Sequence, residues 1–403
     1  MPARPDAPPR PVGQEWPRLP DVRVWDCAVI GAGPAGLSAA YAAARAGART
    51  LVLERAAHPR YKTCGGGLIG TSLAAVAGRI EVPADDRVDR ITFTRDGRRE
   101  FTRRHAAPLV TMVRREEFDR RLRDAAVGAG AELRERAPVR AVEQDADQVR
   151  IRLADGDTVT ARVVVGADGS SGVTARHVGV RHQQVDLGLE LELPVPEDEQ
   201  ARWRGRVLLD WGPIPGSYAW VFPKGDRLTV GVIAARGEGE RTRAYLRAFV
   251  DRLGLTGLEP AHDSGHLTRC RADDSPLCRG RVLVAGDAAG LLEPWSREGI
   301  SYALRSGALA GAAVAAGDLD GYARAVHAEL VPSMRAGHRL LDVFSRRPEV
   351  FHALLATPPG WRMFVRFCQG RTSFDETLNR APVRAALALL DRLPAARSPV
   401  RVG

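Results

Sequence analysis

Three short strings carry residue types suited to holding a dinucleotide: GAGPAG at 31–36, GADGSSG at 166–172 and GDAAG at 286–290. In the first, Gly31 permits a tight turn and Gly33 lets the backbone approach a pyrophosphate. Gly36 allows close helix–strand packing, and Pro34 and Ala35 open a helix whose N-terminus faces the phosphates. Glu54 follows about 20 residues on, where a carboxylate at a strand end accepts from a ribose hydroxyl; Arg55 beside it joins the expected cofactor contacts. This first site alone does not separate NAD from FAD. The later strings decide for FAD, because Asp287 sits in a Gly-Asp turn after an apolar run, where its carboxylate can bind ribityl hydroxyls while a following helix end faces the flavin.

The elements that position these residues can be read from periodicity. DCAVIG at 26–31, the Ala-rich stretch from 34 to 47 and RTLVLE at 49–54 give strand, helix, strand. Residues 61–71 read as a loop containing CGGGL. Alternating segments at 90–102 and 148–169, each turned by Asp-Gly, read as hairpins, and 115–130 as an amphipathic helix. From 185 to 275 the pattern is mostly β, with RVLLDW, YAWVFP and RLTVGVIAA as strands. RVLVAGDAAGLL at 281–292 reads as strand, Gly turn, helix, and the chain after 317 is helical with Pro breaks.

These readings combine into an α/β fold: a Rossmann-type FAD-binding domain (22–70, 103–180 and 276–330), an inserted, mostly antiparallel β substrate domain (71–102 and 181–275) and a C-terminal helical region (331–403). Residues 1–21, rich in Pro and Arg, are expected to be a disordered arm. With 403 residues, 44% of them hydrophobic, the chain can bury a large core. The formal charge of +10 comes from basic residues that are arginine everywhere except Lys62 and Lys224, scattered rather than in runs. No nucleic-acid-binding motif accompanies that charge, so no nucleic-acid partner is expected. Five irregularly spaced cysteines suggest neither disulfides nor a metal site. A reducing cytoplasm fits, and no apolar stretch is long enough to span a membrane.

Beyond the three strings, the helix REEFD and the segments PRYKTCGGGL (59–68), PGSYAWVFPKGDRLTVGV (215–232) and GDAAGLLEPWSREGISYALRSG (286–307) complete a pattern. It resembles the geranylgeranyl reductase family of FAD-dependent oxidoreductases, which have the para-hydroxybenzoate hydroxylase fold. The middle segment matches the family string PxxYxWxFP at Pro215, Tyr218, Trp220, Phe222 and Pro223, and the likeness runs from residue 25 to 330. It implies hydride transfer from reduced flavin to the double bonds of a prenyl chain, carried by a diphosphate, a quinone, a diether lipid or a related terpenoid. Carried over by position, Gly31, Gly33, Gly36, Glu54, Arg115, Asp168 and Asp287 touch FAD. Gly299 and Ile300 pass near the isoalloxazine, as do Cys64, Gly65 and Gly66 of the Gly-rich loop. Tyr218, Trp220 and Phe222 line the substrate cavity. Two positions depart from the family: Gly172 stands where Ser is frequent, with a weaker or different pyrophosphate contact expected. Arg297 replaces a usual Gly, either as a cation favouring an anionic head group or as a solvated surface arginine.

An unactivated alkene needs alignment over flavin N5 in a dry slot and a proton at its other carbon. Cys64 and Tyr218 are the candidate proton donors, with water a third. No second GxGxxG exists, so NAD(P)H is expected to dock transiently as reductant, with ferredoxin the alternative donor. The alternative function is an FAD-dependent monooxygenase or halogenase acting on an aromatic or terpenoid substrate, which would share the fold. A catalytically silent FAD- or lipid-binding protein is a third reading. His262 and His266 in HDSGH are read as surface or hairpin residues rather than metal ligands. The stretch 340–374 is read as packing on the flavin domain, with peripheral membrane contact to collect a lipid as the alternative.

Overall fold

The computed structural model describes residues 24–392, so the arm expected at 1–21 lies outside the described residues. One sheet runs, in spatial order, Cys278–Arg279, Val282–Val284, Thr158–Gly166, Trp25–Ile30, Thr50–Leu53 and Glu132–Arg134. Four of these five pairings are parallel, all but that of Cys278–Arg279 with Val282–Val284. These strands are near-continuous apolar runs, as a parallel sheet covered on both faces requires. The hairpin Val149–Leu153 with Thr158–Gly166 forms as expected. This is the Rossmann-type layer.

Three helices pack on one another beside it: Pro34–Arg45, Arg115–Gly128 and Ile300–Ala316. The first and last approach closely because small residues face each other. A side chain at Gly307 would meet Ala35 O at 2.0 Å, and one at Gly311 would meet Ala39 O at 2.3 Å. That contact brings the N-terminus of Ile300–Ala316 next to the GAGPAG loop. The helix expected straight after GDAAG is instead a single 3-10 turn, Gly286–Ala289, closed by left-handed Gly290 (φ 66). Pro294 follows, and the long helix starts only at Ile300. Gly290 ends the turn because it takes positive φ without strain.

The second sheet has seven strands in the order His262–Arg271, His182–Pro194, Arg227–Ala235, Tyr218–Pro223, Arg206–Trp211, Arg90–Arg95 and Arg98–Arg104. All pairings are antiparallel except Arg206–Trp211 with Arg90–Arg95. Period-2 alternation splits the strand Tyr218–Pro223. Ala219 and Val221 join Trp203, Tyr245 and Phe249 in one core, while Tyr218 and Phe222 pack on the other side. A small third sheet pairs Gly67–Leu68 and Asp86–Val88 with Val110–Met112, anchoring the end of the CGGG loop.

The C-terminal region is a run of helices, three of which (Val331–Arg346, Pro348–Ala356 and Pro358–Cys368) carry proline in the first turn, where its missing N–H costs nothing. Phe344, Phe351 and Phe374 turn inward around Trp295 and join a core with Ile91, Phe93 and Trp211 of the second sheet. The aromatic residues of 340–374 thus pack on the second sheet and Trp295, not on the flavin-domain sheet as expected, because their partners Ile91, Phe93 and Trp211 come from the inserted strands. No helix among the described residues is long and apolar enough to cross a membrane.

Candidate active site

The three glycines of GAGPAG differ in what surrounds them. A side chain at Gly31 (φ 102) would lie 2.3 Å from Ala167 O, and one at Gly36 only 1.9 Å from Gly31 O. At Gly33 the nearest atom is Arg60 Nη2 at 3.7 Å, so open space lies above the middle glycine. Gly33 is the N-cap of Pro34–Arg45, no side chain caps that helix end, and no acidic residue lies in its first turn. Its free amides and dipole face the open space.

Glu54 is buried and accepts from Ala32 N (2.7 Å) and Ala56 N (3.0 Å), bracing the loop. Arg60 donates to Ala32 O and lies 3.6 Å from Asp119, which also takes a two-pronged bond from Arg115. Arg60 Nε is buried, makes no hydrogen bond and lies 3.7 Å from Glu54 Oε1, whereas Arg55 is exposed. Asp168 accepts from Thr174 N and Oγ1, capping Val173–Val178. A side chain at Gly172 would sit 2.0 Å from Asp168 Cγ. Glycine stands there because the carboxylate fills the space.

Asp287 lies 3.7 Å from His266 Nε2, and a side chain at Gly299 would meet its Oδ1 at 3.7 Å. Burial opposes ionisation of Asp287, but His266, Lys62 and Arg115 together hold it below the usual carboxylate range. The end of Ile300–Ala316 is held by Glu298, which accepts from Ser301 N at 2.7 Å and whose pKa burial pushes up to about 7.

The Cys64 loop is gripped from the second sheet. Cys64 N donates to Glu190 Oε1 at 3.0 Å, and Cys64 O accepts from Lys224 Nζ at 3.1 Å. Lys224 also pairs with Glu192 at 2.8 Å, and Thr229 Oγ1 donates to the same oxygen. The Arg115 guanidinium interacts electrostatically with the Cys64 side chain. Burial pushes Glu190 up to about 7 against the pull of Lys224, with Glu192 adding to the rise. Burial likewise lowers the Lys62 pKa, against Asp287. Gly65 lies under the aromatic strand, where a side chain would be 2.6 Å from the Phe222 ring. At Gly66 (φ 73) a side chain would strike Val113 O at 2.2 Å.

Tyr218, Trp220 and Phe222 share one face of their strand, with successive ring centroids 5.9 and 6.0 Å apart. Trp220 lies over Gly231 of the neighbouring strand, where a side chain would come within 2.2 Å of the indole, and its Nε1 is buried without a partner. The Tyr218 hydroxyl donates to Ser296 O at 2.5 Å, and burial raises its pKa. Arg297 is neither solvated nor a free cation. It has left-handed backbone (φ 56), pairs in the interior with Asp186 at 3.1 Å, donates to Trp295 O and lies over the Tyr218 ring.

A family model described as an FAD binding domain matches residues 24–195. Menaquinone reductase of Mycobacterium tuberculosis is 31% identical over 71% of this chain and 75% of its own length. The chloroplastic geranylgeranyl diphosphate reductase of Oryza sativa is 30% identical over 76% of this chain and 69% of its own. The chain belongs to the geranylgeranyl reductase family. Its members are FAD-dependent oxidoreductases, and so is this protein. Among solved structures, a geranylgeranyl bacteriochlorophyll reductase-like protein from Thermoplasma acidophilum superposes with a TM-score of 0.71 at 20% identity, covering 92% of this chain and 100% of that one. The flavin-dependent brominase Bmp2 gives 0.73 at 20% identity with the same coverage, which establishes the shared fold.

The residues present fit the family's FAD. The space above Gly33 and the uncapped helix end suit a diphosphate, with the Arg60 guanidinium beside them, and His266 stands next to Asp287. Several site residues escape the sequence reading. His262, Ser264 and His266 are half-buried on a strand at the edge of the second sheet. They line one face of their strand, where His262 stacks on Tyr61 (3.8 Å) and Ser264 bonds both Tyr61 and Thr63. Arg60 and Asp119 lie inside PRYKTCGGGL and REEFD but draw no role from the sequence, and Glu190 and Glu192 lie in none of the motif strings. Lys224 does leave a signal: the chain has 59 basic residues and only two lysines, and both Lys62 and Lys224 lie beside Cys64. A compact ammonium suits a single peptide carbonyl better than a planar guanidinium fork.

Proposed function

We propose that this protein saturates carbon–carbon double bonds of a prenyl chain by hydride transfer from reduced FAD. The observation that carries the reading is the aromatic face of Tyr218, Trp220 and Phe222, whose Phe222 and Trp220 rings lie against Gly65, the residue next to Cys64. Bound FAD supplies the hydride. In this reading Gly31, Gly33, Pro34, Ala35, Gly36, Glu54, Arg60, Arg115 and Asp287 hold the cofactor, and Asp168 shapes its loop. The aromatic face excludes water and aligns the chain, so that a poor hydride acceptor is presented in a dry slot.

The proton for the second carbon comes from Cys64. Tyr218 is the weaker donor, because its proton is engaged by Ser296 O and burial holds it on the phenol. NAD(P)H is the proposed reductant and ferredoxin the alternative. The substrate is a prenyl lipid or prenyl diphosphate, in keeping with the names of the relatives. The test is anaerobic reoxidation: FAD-loaded protein, reduced with dithionite and freed of excess, regains its yellow absorbance when a substrate prenyl lipid is added. A reduced flavin indifferent to every prenyl compound, yet reoxidised by oxygen with turnover of an aromatic substrate, assigns the protein to the monooxygenase or halogenase chemistry.

A further inference from the structure

Cys64 sits in a Gly-rich loop, where a peptide group is normally left to water or a neighbouring turn. Here both sides of the residue are taken by ionisable side chains from a different sheet. Glu190, in the strand His182–Pro194, receives the Cys64 N–H at 3.0 Å, and Lys224, just past the aromatic strand, donates to the Cys64 carbonyl at 3.1 Å. Neither is a surface contact: Glu190 and Lys224 are each 2% exposed, and Glu192, which balances Lys224, is 4% exposed. Because strand residues alternate, Glu190 and Glu192 point the same way, so one strand supplies both the acceptor for the amide and the counter-charge for the lysine. Burying three ionisable groups is unfavourable unless each is paired. Here the surplus carboxylate and the ammonium are completed by the Cys64 peptide.

We propose that Glu190 and Lys224 are positioning residues that clamp the Cys64 peptide from both sides, fixing the loop that carries the thiol against the aromatic wall of the substrate slot. This rests on the reading of Cys64 as the proton donor. The clamp also makes the loop's position depend on the second sheet, so the wall that holds the substrate and the group that protonates it move as one body. The titratable groups facing Glu190 are Lys224, Glu192, Lys62 and the neutral Tyr61 hydroxyl. Ionised Glu190 accepts the amide more strongly than the neutral acid, so the clamp is tightest above about pH 7 and slackens below it.

The test reads the thiol directly, in FAD-loaded full-length protein. Iodoacetamide labelling of Cys64 is followed by peptide mass, with half-buried Cys278 as the internal control. In Glu190→Ala and in Lys224→Met, Cys64 should label several-fold faster than in the parent while Cys278 and the flavin absorbance stay unchanged. Glu190→Gln, which keeps an acceptor oxygen, should restore slow labelling. In the parent, the ratio of Cys64 to Cys278 labelling should rise as pH falls through about 7, and in Glu190→Gln it should not. Where a substrate is in hand, kcat should fall about tenfold or more in Glu190→Ala with KM little changed. The proposal is overturned if Cys64 labels at the parental rate in FAD-loaded Glu190→Ala, or if the parental ratio is flat across that pH range. The pH series needs only the parent and the conservative variant, so it decides the matter even if the other variants fail to fold. Labelling does not depend on turnover. A silent substrate panel with an intact clamp would overturn the function and leave the clamp standing.

Discussion

Substituting Gly33 and Gly36 separately should split cofactor binding from folding. Gly33 has extended backbone (φ −91, ψ −176) that alanine adopts freely, and the new methyl meets nothing closer than Arg60 at 3.7 Å. Gly33→Ala should therefore leave the apoprotein's stability unchanged or raise it by about 0.4–1 kcal/mol, because the unfolded chain loses freedom. The methyl would, however, stand in the space assigned to the FAD diphosphate. Forcing a methyl into a filled contact costs about 1–3 kcal/mol, or roughly 5- to 150-fold in Kd. Gly36→Ala is the opposite case. Its methyl would lie 1.9 Å from Gly31 O, a backbone clash that no side chain can relieve, so the apoprotein itself should be destabilised by several kcal/mol. Thermal melts of apoprotein and fluorescence titrations with FAD read the two effects independently. A Gly33→Ala protein that melts normally and binds FAD as tightly as the parent would refute the placement of the diphosphate.

Other outcomes follow from the same geometry. Arg297→Gly should gain about 1 kcal/mol by removing left-handed strain but lose about 3–5 kcal/mol by stranding buried Asp186. Chemical denaturation should therefore show net destabilisation, with part of the loss recovered in Arg297→Gly combined with Asp186→Asn. Glu190 has a folded pKa of about 7 against an ordinary 4.5, so the native state binds the extra proton and this group's stabilising contribution is lost as pH rises between those values. Denaturation midpoints of the parent should accordingly fall relative to Glu190→Gln over that window, and a constant difference would count against the assignment. Cys64→Ala should keep FAD and its reduction by NAD(P)H or dithionite while losing alkene reduction. Unchanged product formation would remove Cys64 from the chemistry.

The parts of the fold visible in the sequence were those encoded over short distances. GAGPAG between an apolar strand and an Ala-rich helix is legible because each glycine answers a local demand, and the hairpin at 149–166 is legible because alternation and Asp-Gly coincide. The run LELEL at 189–193 shows the limit. Alternating Leu and Glu suggests a strand with a wet face, yet Glu190 and Glu192 are buried because a loop more than 120 residues earlier is laid over them. His266 misleads in the same way: its strand edge is covered by the Asp287 turn and the Tyr61 loop. Arg297 reads as a free cation until Asp186, from another sheet, is seen beside it. The helix read straight after the Gly-Asp turn begins only at Ile300, because left-handed Gly290 ends the turn and Pro294 follows. For Glu190, Glu192, His266 and Arg297 a tertiary contact reverses what the residue's type suggests.

The central claim is tested most directly by anaerobic incubation of purified, FAD-loaded protein with dithionite and a panel of prenyl diphosphates, prenylated quinones and diether lipids, with products read by mass. Masses raised by whole pairs of hydrogens, in the parent but not in Cys64→Ala, are the predicted result and would also identify the head group. No gain across the panel, with oxygen-dependent turnover of an aromatic or terpenoid substrate instead, would contradict the account.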